Sequence, residues 1–128
     1  MVPRLPRAFL DGVRLFNAGH YFEAHEAFEE LLDEVEADAR WELLGGLIQV
    51  AVGYHKCAAG YPGGASMLGK GLAKLAPFPG DAGGVALETL RARVAADRAA
   101  FERGISATEQ LARPPRLGLV PTAWSDPA

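Results

Sequence analysis

Apolar residues recur along this chain at the three- and four-residue spacing that lines one face of an α-helix. Phe9, Val13 and Phe16, with Leu10 beside them, predict a first helix that begins near Pro6, whose fixed φ suits a first turn. Asn17 and Gly19 tolerate left-handed backbone, so a tight turn is expected at 17 to 20. A second helix starts about Tyr21, with Phe28, Leu31, Leu32 and Val35 as its apolar stripe. The third, about Ala39 to Ala59, is apolar nearly all round from Leu43 to Tyr54, the pattern of a central helix in a bundle. Gly60 to Gly64, with Tyr61 and Pro62, reads as a turn. Ala65, Leu68, Leu72 and Leu75 then form a shorter helix ended by Pro77 and Pro79. Beyond the break at 77 to 84, Leu87, Leu90, Val94 and Phe101 mark the most amphipathic helix, which stops near Gly104.

The expected architecture is all-α, a single-domain bundle of about five helices over residues 1–112 with an extended C-terminal tail over 113–128. Pro114, Pro115, Pro121 and Pro127 keep that tail from staying helical. Its Leu117, Leu119, Val120 and Trp124 are nevertheless apolar enough to lie across the bundle rather than hang free. In the third helix Gly45, Gly46 and Gly53 share a side with Gln49. Each costs about 1 kcal/mol of helix propensity relative to Ala, and together they make a smooth face that another backbone can approach closely, either within the chain or in a second copy. Gln49 at such a contact would need partners.

A chain of 128 residues is a one-domain length. Its net charge of −3 argues against nucleic acid as the main partner, because phosphate binding needs a basic patch. The acid is uneven: Glu23, Glu26, Glu29, Glu30, Asp33, Glu34, Glu36, Asp38 and Glu42 crowd one segment, with Arg40 alone opposing them. Cys57 is the one cysteine, so no internal disulfide forms. The longest apolar run is shorter than the ~20 residues that span a bilayer, and no secretion signal opens the chain. A soluble, cytoplasmic protein is expected.

The candidate chemistry lies on the second helix. His25 and Glu29 are four residues apart, so their Cβ atoms sit about 5–6 Å apart on one face. His25 falls beside Leu32 and Glu29 between His25 and Phe22, which predicts partial burial of both. A neutral imidazole and a carboxylate one turn apart can be two ligands of a divalent metal ion. A third would come from another helix, with His55 the best donor by chemistry, Glu26 or His20 the nearest in sequence, and Gln49 a poor one. If the protein is an enzyme, metal-assisted hydrolysis with Glu26 as general base is the expectation. The His-Glu-x-x-His pattern of zinc proteases is not met, because Glu29 stands where its second His belongs.

Two other readings stand beside it. In one, His25, Glu29 and Gln49 form a buried hydrogen-bond network that fixes helix packing in an interaction module without catalytic activity. In the other, the site takes a small molecule or a partner, and self-association runs through the Gly-rich third helix. His55 lies about 120° round the third helix from Gln49, so one site recruits either but hardly both. Cys57, next to Lys56, reads as a packed thiol rather than an activated one.

The phrase Phe16-Asn17-x-Gly19-x-Tyr21-Phe22-Glu23-Ala24-His25-Glu26-x-x-Glu29, with Gly46-Leu47-Ile48-Gln49 and Gly63-Gly64-Ala65 after it, resembles a small prokaryotic family, domain-of-unknown-function family 309. The resemblance covers about Phe16 to Leu75. It implies an all-helical fold and a His-x-x-x-Glu metal-binding motif with no assigned reaction, which here falls on His25 and Glu29. This chain has Leu32 where the family usually has Trp or Tyr, and Tyr61 where it favours Asn.

Overall fold

The computed structural model describes residues 6–35 and 39–120 and is all-α. Its helices are α1 (Arg7–Asn17), α2 (Tyr21–Leu32), α3 (Ala39–Ala59), α4 (Gly64–Leu75), α5 (Leu87–Glu102) and α6 (Ala107–Gln110), with a short 3-10 turn at Ala82–Gly84. From α1 to α5 each helix packs on the next in chain order, and α3 also meets α6, so α3 is the central element its all-round apolar sequence requires. None of the helices among the described residues is long and apolar enough to cross a membrane.

The turns are closed by glycine. Gly19 at φ +84° lets the His20 N–H reach back to the Leu15 carbonyl at 2.9 Å, ending α1 three residues before α2 begins. Phe9, Val13 and Phe16 of α1 face Tyr21, Ala24, Phe28 and Leu31 of α2 in one buried cluster, which continues into Leu43, Leu44, Leu47, Val50 and Tyr54 of α3.

The glycine side of α3 is met by α4 of the same chain. A Cβ on Gly46 would stand 2.6 Å from Leu75 Cδ2, and one on Gly53 would stand 2.7 Å from Leu68 Cδ2 and 2.9 Å from the Leu68 backbone nitrogen. The close backbone approach expected of that face is therefore made within the chain. Arg91 of α5 then ties the end of α4 to the loop after it by donating to the carbonyls of Leu75 at 3.0 Å and Phe78 at 2.8 Å.

The described part of the tail runs extended. The Asn17 side-chain amide donates to the Leu117 carbonyl at 3.1 Å and its oxygen accepts from the Leu117 N–H at 2.7 Å, pairing with the tail as a strand would. Ala86 N–H bonds the Gly118 carbonyl and Val120 N–H the Gly84 carbonyl, each at 2.9 Å, and Leu117 is buried. Trp124, with Pro121 and Pro127, lies outside the described residues, as do Glu36 and Asp38 of the acidic run. The α6 helix is an addition to the expected set. Its Ser106 Oγ accepts from the Glu109 N–H at 3.1 Å, a Ser-x-x-Glu start that stands openly in the sequence.

The glycine seam yields a paired expectation. Gly53→Ala meets the fixed Leu68 backbone and should destabilise by about 1–3 kcal/mol. Gly45→Ala meets only the flexible Lys74 side chain, at 3.2 Å, and should leave the protein as stable or more so. Thermal melts of the two variants check this; equal melting temperatures would contradict the seam.

Candidate functional site

Both predicted ligands lie on α2, but they differ in setting. The His25 side chain is 16% exposed and its Nδ1–H donates to the Phe22 carbonyl one turn back, which leaves Nε2 on the side of Glu29. The Glu29 side chain is 53% exposed, not the partly buried group its neighbours suggested, and Phe22, about two turns before it, is itself 40% exposed. Nε2 and Oε1 stand 3.9 Å apart, beyond hydrogen-bond reach. Glu26 is exposed on the next position of the outer face and touches neither.

Of the two candidates on α3, the structure recruits His55 to this neighbourhood and leaves Gln49 out. The Phe22 ring stacks on the His25 imidazole with centroids 4.7 Å apart and on the His55 imidazole at 5.2 Å, and Tyr61 meets His55 edge-on at 5.8 Å. Tyr61 is placed by the end of α3, where Gly60 at φ +77° allows the Tyr61 N–H to bond the Lys56 carbonyl at 2.9 Å. The result is a contiguous ring cluster at the surface, with Phe22 40% and Tyr61 59% exposed. Among the described residues the buried Oε1 atom of Gln49 has no hydrogen-bond partner, and no hydrogen bond there joins Gln49 to His25 or Glu29. His55, in turn, is held by ring contacts rather than by a hydrogen bond in the core.

As a metal centre the site is short of donors. Structural zinc takes four protein ligands and catalytic zinc three. His25 and Glu29 supply two, and among the described residues no group of three or more His, Cys, Asp or Glu is placed to hold an ion. Among the described residues these two donors alone fall short of either set.

The polar centre that sequence reasoning missed is Asp97 on α5, fully buried. Tyr54 O–H donates to its Oδ2 at 2.5 Å, Arg93 Nε reaches its two oxygens at 3.0 and 2.9 Å, and Gln110 Nε2 donates to Oδ1 at 2.6 Å. Arg93 also donates to the carbonyls of Gln110 and Arg113, so one carboxylate and one guanidinium fasten α3, α5, α6 and the tail together. The signal was available: Asp97 interrupts the Leu87, Leu90, Val94 and Phe101 stripe at an apolar position, with Arg93 one turn before it.

Burial pushes the Tyr54 hydroxyl far up from its ordinary range, and the hydrogen bond to Asp97 adds to that. Burial likewise raises Tyr21 to about 12, Arg93 opposing and Asp97 assisting. Cys57 is raised by burial and then by Asp97, which lowers its thiolate fraction.

Tyr21 and Tyr54 hold their protons more tightly folded than unfolded. The stability they contribute is complete below the unfolded tyrosine value near 10 and falls as pH rises from about 10 towards 12 and beyond. Denaturation midpoints measured from pH 8 to 12 should drop over that upper range, and a flat profile would contradict the burial. Asp97→Asn leaves the Arg93 charge without its partner and should cost about 3 kcal/mol, the low end for a broken buried pair because Arg93 keeps some water. Urea melts of the folded variant measure it.

A comparison with curated proteins finds no match. Residues 9–68 match the family model described as Domain of unknown function (DUF309), and this segment carries the whole ring cluster and Glu29. Over that segment, from α1 into α4 and just under half of the chain, the sequence is similar to the DUF309 family.

Proposed function

We propose that the protein is a binding module that recognises a partner through the face where Phe22, His25, His55 and Tyr61 come together. The observation that carries the reading is the exposure of two large aromatic rings in one stacked cluster with two imidazoles. Single exposed apolar residues are ordinary, whereas a contiguous patch marks a contact surface. Aromatic side chains are the usual anchors of such surfaces. Here the rings are already stacked, so little side-chain freedom is left to lose on binding.

Site-specific photocrosslinking tests this directly. A benzoylphenylalanine placed at position 22 or 61 should give a discrete adduct in cells, while the same probe at Leu10, equally exposed on α1, should not. Phe22→Ala with Tyr61→Ala should abolish the adduct at a neighbouring probe while leaving the melting temperature close to wild type. Indiscriminate crosslinking from all three positions would remove the reading.

A second reading is favoured by one observation: His25 is oriented as metal-ligating histidines are, Nδ1–H on a carbonyl and Nε2 on the side of a carboxylate. In that reading His25 and Glu29 hold a divalent ion only when a bound molecule completes the coordination. Protein dialysed after exposure to zinc, manganese or iron is expected to retain no stoichiometric metal. Stoichiometric retention lost in His25→Ala and Glu29→Gln, but kept in Glu26→Gln, would put the second reading first.

A further inference from the structure

We infer that the occupant of this face is a basic segment of another protein, one that sets an apolar or aromatic side chain on the ring cluster and lays Lys or Arg along α2. The inference rests on the binding-module reading and names its partner class. Turning each residue by 100° aligns Phe22, Glu26, Glu29 and Asp33 in a single stripe about 60° wide and about 16 Å long. All four are exposed, and the stripe begins at the aromatic cluster. Between Tyr21 and Val35 the chain has no Lys or Arg.

Elsewhere four acids have a cation beside them. Asp11 pairs with Arg14, Glu42 approaches Lys74, Asp97 holds Arg93 and Glu102 holds Arg98. Among the described residues no Lys or Arg pairs with Glu26, Glu29, Glu30 or Asp33. Glu26 and Glu30, and Glu29 and Asp33, are like charges four apart, which weakens a helix. They also crowd towards its C-terminal end, where the helix dipole favours cations and where α2 has none. A cationic partner relieves both strains at once. Nucleic acid would worsen them.

A segment that fits this face carries one apolar anchor followed by cations at helical spacing, as in basic amphipathic helices. The probes are two fluorescein-labelled 14-residue peptides on one Ala-rich helical host, each with a Trp and a Leu anchor, one bearing four Lys and the other four Glu. Fluorescence anisotropy is read against wild type, Phe22→Ala/Tyr61→Ala, Glu26→Gln/Glu29→Gln/Asp33→Asn, and Glu102→Gln on α5 as a control.

The Lys peptide should bind wild type and the control, weaken about tenfold or more with each of the other two variants, and weaken as salt is raised from 50 to 300 mM. The Glu peptide should not bind. The salt series on wild type needs no variant to fold. Binding of the Glu peptide in place of the Lys peptide, lost in Phe22→Ala/Tyr61→Ala, overturns the basic occupant and leaves the recognition face standing. Failure of both peptides, or binding indifferent to the aromatic substitutions, overturns both. A wild-type dimer by sedimentation equilibrium that Phe22→Ala/Tyr61→Ala dissociates makes a second copy the occupant and overturns this inference alone.

Discussion

The hydrogen bond from Tyr54 to buried Asp97 sets the register on which the surface depends. Asp97 is held from the other side by Arg93 and Gln110, so Tyr54 is fixed from within α5 and α6. The Tyr54 ring stacks on Tyr21 with centroids 5.3 Å apart, which fixes α2 against α3 at one level. One residue further along each helix, Phe22 stacks on His55 at 5.2 Å. The inner pair and the outer pair are consecutive in both helices. A buried carboxylate therefore determines where the exposed rings meet, and it does so without touching them. Hydrogen-bonded charge in a core gives little net stability, but it selects one arrangement over its neighbours by a turn.

Much of the helical layout was legible because it rests on local chemistry. The three- and four-residue spacing of Phe9, Val13 and Phe16, or of Leu87, Leu90 and Val94, reports a buried face directly, and Gly19 and Gly60 report helix ends. The glycines of α3 were legible as a close approach, though not as to which element approaches. The site was less so. Spacing four apart put His25 and Glu29 side by side, but whether anything covers them is a tertiary fact, and Glu29 is left more than half exposed. The stack of Phe22 on His55 joins residues 33 positions apart and has no local signature.

Gln49 shows the opposite failure. Its position among the glycines of α3 implied partners, and among the described residues its buried Oε1 has none. Asp97 was missed for a related reason. A charged residue within an amphipathic helix is ordinarily read as solvated, and only its place in the apolar stripe, one turn after an arginine, marks it as buried and paired.

The charge on α2 bears on how such a surface can exist in a stable protein. Repulsion between like charges one turn apart costs an exposed helix a few tenths of a kcal/mol per pair, and the misplaced charge at the C-terminal end costs a similar amount. Burying Phe28 and Leu31 on the inner face contributes about 1.5–3 kcal/mol each. The inner face of α2 thus outweighs what the outer face loses, and the helix is held by its packing while its solvent side is left with unbalanced acid. Stability and recognition are separated onto the two sides of one helix. His25 stands at the border between them, its Nδ1 committed to the backbone and its Nε2 on the side of exposed Glu29.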